Sequence, residues 1–201
     1  MSEMIPAWKN DKLVPIDKLE VHRLGLKHPA ISIFIKQGEK ILIQQRASFK
    51  YHSPDLWANS VCTHPQWGES SEACATRRLS EELGISTLEL DFRSEIEYRA
   101  KVGNGLTEHE LVSVFVAEVS EDLDLYVNPN PSEVRSVKWI DLKSLRQELK
   151  KFPNQFTEWL KIVSGPSSMA LLSFLAISRP LYTLVVCRCF LIYWIVYVQV
   201  Y

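Results

Sequence analysis

Residues 57–69, Trp57-Ala-Asn-Ser-Val-Cys62-Thr-His64-Pro-Gln-Trp-Gly-Glu69, run on into Arg77-Arg78-Leu79-Ser80-Glu81-Glu82-Leu83-Gly84-Ile85, and the junction decides the fold. Residues 56–62 read as a strand. Ser70 or Ser71 offers a hydroxyl to cap a helix running to Leu83, with Gly84 standing where a helix C′ glycine belongs. Arg77 with Glu81, and Arg78 with Glu82, are i,i+4 pairs on that helix. A strand therefore passes into a charged helix, and a thiol, an imidazole and a carboxylate gather at the join.

Working outward, residues 30–36 and 40–46 read as β-branched strands around a Gln37-Gly38-Glu39 turn. Residues 88–100 and 108–119 form a second pair of strands, parted by Gly103-Asn104-Gly105. Residues 137–140 suggest a last strand, after which Asp141 caps a helix through Leu149 and a short helix covers 156–163. Strands outnumber helices, and the order predicts an α+β fold in which helices cover both faces of a mixed sheet, an α/β/α layout.

Composition sets the limits. The 201 residues suit one domain with a proper core, and 23 basic against 24 acidic residues leave −1, which gives no electrostatic case for nucleic acid or an anionic membrane. Cys62, Cys74, Cys187 and Cys189 follow neither a zinc-ligand spacing nor a disulfide framework. The first residues, Met-Ser-Glu-Met-Ile-Pro-Ala-Trp-Lys, lack the basic start and apolar run of a signal peptide. A reducing, cytoplasmic setting is expected. The chain changes character near residue 164: beyond Lys161 only Arg179 and Arg188 carry charge. We divide it into a domain of 1–163 and a hydrophobic tail of 164–201. Residues 181–201 are long enough to span a bilayer, but Pro180 and Arg188 oppose an anchor, and a shifted reading frame would also give such an end.

Glu108 and Glu110 would project from one face of a strand. If solvated they are an ordinary exposed face; if buried, a divalent metal is the natural relief for two like charges. Three imidazoles, His22, His28 and His64, with two carboxylates would suit a six-coordinate first-row metal such as Mn²⁺, Zn²⁺ or Fe²⁺, but spacing does not bring them together. His52 and His109 are read as structural or exposed. Cys62 alone would pass for a buried thiol. Lys18, Arg46, Lys50 and Arg78 are solvated cations unless an anion shares their cleft.

Glu69 with the segment 77–85 resembles a degenerate Nudix box, in which Thr63 replaces the opening glycine and Arg78 a glutamate. Those departures resemble type 1 isopentenyl-diphosphate isomerases. Asn59-Ser-Val-Cys62-Thr-His64-Pro65, Tyr98-Arg99-Ala100, Glu108-His-Glu110, the paired His22 and His28, Gln-Arg46-Ala-Ser-Phe-Lys50 and Asn130-Pro-Ser-Glu-Val-Arg-Ser-Val-Lys-Trp139 all match that family, over roughly residues 10–163.

The resemblance implies a Nudix-like sandwich that moves the double bond of a prenyl diphosphate by one carbon. Cys62 and Glu110 would exchange protons with the substrate, with Tyr98 hydrogen-bonded to the glutamate. His22, His28, His64, Glu108 and Glu110 would hold one metal. Glu82, with the backbone at Cys62, would help hold an Mg²⁺ that bridges to the diphosphate. Lys18, Arg46, Lys50 and Arg78 would neutralise that diphosphate, and Trp159 would cover the hydrocarbon. A Nudix hydrolase and a metal-stabilised binding module are the rivals, and the missing glutamate at position 78 counts against the first.

Overall fold

The computed structural model describes residues 3–164. Apart from Ser164, the tail lies outside them, together with its anchor and frame-shift readings. Among the described residues no helix is long and apolar enough to cross a membrane.

Two strands dominate. β3 (Lys27–Gln37) and β8 (Leu106–Val119) pair in parallel over their whole shared length, from Lys27 opposite His109 to Gln37 opposite Val119. Over 30–35 and 112–117 both are largely apolar on both faces, as a pair sandwiched between helices must be. β7 (Asp91–Gly103) lies antiparallel on the outer side of β8, and β4 (Lys40–Arg46) on the far side of β3. β9 (Val134–Asp141) then pairs with β4. The even-numbered residues Ala30, Phe34, Val112, Val114 and Val116 face α3 (Leu142–Lys151) and α4 (Glu158–Val163), meeting Leu145, Leu160 and Val163. Odd-numbered Ile31, Ile33, Ile35, Phe115 and Ala117 face α2 (Ser71–Leu83), meeting Ala75, Leu79 and Leu83. The expected α/β/α layering holds.

The expected helix ends also hold. Ser70 Oγ accepts from Ala73 N, and Asp141 accepts from the amides of Lys143 and Ser144. Gly84 takes φ 68°, and a Cβ there would meet Asn128 O at 2.9 Å. That closeness reflects a docked segment: Asn128 and Asn130 donate their amides to the carbonyls of Leu83 and Glu82, which α2 leaves unpaired.

Three expectations need correction. The single strand over 56–62 is two short ones, β5 (Trp57–Ala58) on β4 and β6 (Val61–Thr63) on β3. Between them Asn59 and Ser60 fill the fork where β4 and β6 share one edge of β3. Asn59 Nδ2 lies 3.0 Å from Ile33 O and 2.7 Å from Val61 O, while Ser60 Oγ accepts from Ile35 N and donates to Leu42 O. Side chains replace ladder bonds there, which breaks the strand. Second, the stretch before residue 27, where the sequence predicts no element, holds three: β1 (Met4–Lys9) and β2 (Lys12–Asp17) form a hairpin, and α1 (Lys18–Leu24) follows with its own small core of Ile5, Ala7, Ile16 and Val21. Third, His22 and His28 do not both precede the first core strand. His22 is on α1 and His28 is within β3.

Candidate active site

Strand register builds the centre of the site. His28 on β3 lies opposite Glu110 on β8, which lies opposite Tyr98 on β7, so three functional groups stand in one row on one face of the sheet. Glu108 is two residues back on the same face. β6 sets Cys62 opposite Ser32, also on that face, and His64 follows two residues on. α1 leans over the row and brings in His22.

These groups are buried. His22 and His28 are wholly enclosed, and Glu108 and Glu110 nearly so. His22 Nδ1 donates to Lys18 O at 2.6 Å, and His28 Nδ1 to Leu26 O at 2.7 Å, which fixes each ring and leaves Nε2 free. Both Nε2 atoms are buried without a partner, as is His64 Nδ1. His64 Nε2 is 2.8 Å from Glu110 Oε1. The Tyr98 hydroxyl stands 2.6 Å from Glu110 Oε2 and 3.0 Å from Glu108 Oε2; having one proton, it donates to one of them. Donor atoms of His22, His28, His64 and Glu110 all lie within 4.8 Å of one another. Orphaned imidazole nitrogens and carboxylate oxygens converging in a dry site are a donor set suited to a divalent metal.

The electrostatics agree. Burial lowers the His64 imidazole well below its usual range and takes His22 down to about 4, so both stay neutral near pH 7 and able to ligate. Burial and the neighbouring Glu110 charge push Glu108 upward. Burial would raise Glu110 too, but the His28 and His64 imidazoles beside it, with Nε2 at 3.7 and 2.8 Å from Oε1, hold it down. Burial, then the charges of Glu110 and Glu108, keeps the Cys62 thiol protonated.

A cavity of about 260 Å³ opens against this cluster. Cys62, His64, Glu108, Glu110, Glu82, Trp159 and the cations Lys18, Arg46, Lys50 and Arg78 line it, drawn from both helical layers. His22, His28 and Tyr98 stand behind its wall. Arg78 Nη2 donates to Glu82 Oε1 at 2.7 Å and approaches Glu133 Oε2 at 3.2 Å; Lys50 also pairs with Glu133. Lys18 pairs with Glu3 at 3.0 Å. Arg46 differs: it donates to the carbonyls of Ser53 and His52, and its guanidinium stands 5.1 Å from the centre of the Trp159 ring.

Sequence reasoning missed two residues. His52, read as structural or exposed, is buried with its Nε2 3.5 Å from Glu108 Oε1. Glu133, though inside the quoted 130–139 segment, was not marked as part of the site; the docked turn at Asn130 aims it into the cavity. Nothing local to His52 announces its contact, because its partner lies on a distant strand. His109 is a surface group on Glu97, as expected.

Comparison with known proteins identifies the family. The NUDIX domain family matches residues 26–160. An isopentenyl-diphosphate Delta-isomerase from Cereibacter sphaeroides is 56% identical over 162 residues, covering 81% of this chain and 90% of that protein. One from Ruegeria pomeroyi is 53% identical over 162 residues, covering 81% and 89%. Among solved structures, a Deinococcus radiodurans protein superposes with a TM-score of 0.61 at 14% identity, over 85% of this chain and 98% of its own. The E. coli dihydroneopterin triphosphate pyrophosphohydrolase gives 0.52 at 18%, over 74% and 94%; both likenesses concern the fold alone. With more than half of the 162 aligned residues shared across nearly the full length of such relatives, the chain belongs to the isopentenyl-diphosphate Delta-isomerases of the NUDIX fold.

Proposed function

We propose that this chain interconverts isopentenyl diphosphate and dimethylallyl diphosphate by protonation and deprotonation through a tertiary carbocation, with Cys62 and Glu110 as the exchanging groups. What supports it most is that a protonated thiol and a buried carboxylate line one cavity whose rim carries cations. An alkene is a weak base, so proton transfer needs positioned groups in a dry pocket. The reaction is reversible, and each group is the acid in one direction and the base in the other. Tyr98, 2.6 Å from Glu110 Oε2, fixes which carboxylate oxygen turns toward the substrate. The Trp159 face lends cation–π stabilisation to the carbocation without offering a nucleophile. Arg46, Lys50, Arg78 and Lys18 hold the diphosphate as an anchor, and Arg78 in place of a carboxylate removes a ligand that hydrolysis would use.

His22, His28, His64, Glu108 and Glu110 would hold Mn²⁺, Zn²⁺ or Fe²⁺, whose charge tunes Glu110, and Glu82 with the backbone at Cys62 would hold an Mg²⁺ that screens the diphosphate. Free thiols at Cys62 and Cys74 suit a reducing, cytoplasmic setting. The test is labelled isopentenyl diphosphate with Mg²⁺. Labelled dimethylallyl diphosphate without phosphate release is expected; phosphate release from nucleoside diphosphate derivatives, or no turnover of either, would overturn it.

A further inference from the structure

Four histidines, not three, converge on the buried carboxylates. The fourth is His52, whose Nδ1 lies 3.4 Å from Ser53 Oγ and whose Nε2 lies 3.5 Å from Glu108 Oε1. Its ring stacks on His22 at 5.9 Å with a 28° tilt, and Tyr51 packs edge-on against it at 4.4 Å. Its carbonyl is held by Arg46. One donor atom each from His52, His22 and Glu108 fall within 4.8 Å of one another, and all three residues are buried.

The distance to Glu108 is informative. At 3.5 Å it is too long for a good hydrogen bond. Two ligands each about 2.1 Å from one ion stand roughly 3 Å apart at a right angle and about 4 Å apart when opposed. The spacing suits common ligands better than direct partners. Both sets open to the cavity: His52 and Glu108 line it, as do His64 and Glu110, while His22 and His28 stand behind its wall.

We propose that His52 is a metal-ligating residue, forming with His22 and Glu108 a second, outer divalent-cation position beside the inner one made with His28, His64 and Glu110. This rests on the buried cluster being a metal centre. His22 Nδ1 is committed to Lys18 O, so only Nε2 can ligate. Both positions need that atom, and together they hold one ion at a time. An ion held by the outer set would pass to the inner one by keeping His22 and Glu108 while exchanging His52 for His28, His64 and Glu110.

The full chain, stripped of metal, is titrated with Co²⁺ and followed by visible absorption and by ion bound at equilibrium, after which a chelator removes the ion. Without diphosphate the Glu82 position lacks its bridging ligand, so one ion per wild-type chain is expected, and a second ion that survives Glu82→Gln would overturn the shared-ligand arrangement. In His52→Ala both Co²⁺ uptake and chelator removal should slow by about tenfold, while His109→Ala matches the wild type. Uptake and removal within twofold of wild type in a folded His52→Ala chain would overturn the assignment. If His52→Ala does not fold, His52→Gln keeps the volume with a weaker donor and must slow uptake at least about threefold, or the assignment falls. A wild-type chain that binds no Co²⁺ overturns the metal centre and the outer position together.

Discussion

The two ends of the cavity are built on opposite plans. At the inner end, His22 and His28 are clamped by backbone carbonyls and present unpartnered nitrogens to Glu110. At the outer end the cations Lys18, Lys50 and Arg78 already have carboxylate partners in Glu3, Glu133 and Glu82. The inner end can accept a cation without rearranging a side chain. If the outer end takes a diphosphate as proposed, it must exchange partners first, and Glu133, shared by Lys50 and Arg78, is the group to be displaced. Preorganisation serves the chemistry, and ion-pair exchange serves substrate entry.

That contrast can be broken at several points. The largest effects belong to the inner end. Cys62→Ala and Glu110→Gln should each lower isomerisation by roughly 10²–10⁴-fold, with the thermal transition of the metal-loaded chain retained; wild-type turnover in either would refute the proton-exchange roles. His22→Ala should weaken divalent-metal binding by roughly 100-fold, read by equilibrium dialysis, since it removes an anchored ligand.

Acid should unmake the same end in the metal-free chain. His22 and His52 are depressed from 6.5 to about 4 and about 2 by burial, with Arg46 adding to the effect at His52. As pH falls below 6.5 the unfolded chain takes up protons first. The stability present above 6.5 is therefore lost progressively below it, down to about 4 for His22 and about 2 for His52. The loss is several kcal/mol in all, at about 1.4 kcal/mol per pH unit for each imidazole, measured by urea titration across that range. A flat profile would mean that the imidazoles are not enclosed.

The smallest effect belongs to the outer end. Glu133→Gln frees Lys50 and Arg78 from a carboxylate that burial alone would neutralise but that Lys50 and Arg78 hold ionised. An apparent KM roughly two- to fivefold lower, with kcat little changed, is expected. A raised KM would instead make Glu133 a ligand for the bound diphosphate complex.

The sequence revealed this molecule unevenly. β4, β8, α2 and α3 were legible because their periodicity and caps are local: Ser70, Gly84 and Asp141 each act within a few residues. The same-face placement of Glu108 and Glu110 followed from the strand period alone. β1 and β2 were not legible, for Pro6 and Pro15 face each other across the pair and proline ordinarily argues against a strand. The overlooked signal was Asn10-Asp11, which turns through φ of 51° and 59°. α1 has only seven residues, though Asp17 and Gly25 bracket it as caps. The fork at Asn59 and Ser60 was hidden because its cause is tertiary. The assembly of the metal cluster was legible only through family resemblance, since no spacing rule links α1, β3, β6 and β8. His52 had neither a local signal nor a place in the quoted family segments.

The parallel pairing of β3 with β8 has a kinetic consequence. His28 and Glu110 come together only when two strands distant in the chain have zipped side by side, and such non-local pairing costs the most loop entropy. An ion bound across that seam thus acts as a late latch, absent from the folding barrier and present only behind it. Loading the centre should leave the refolding rate unchanged and slow unfolding, so that the metal governs how long the native chain lasts rather than how quickly it forms.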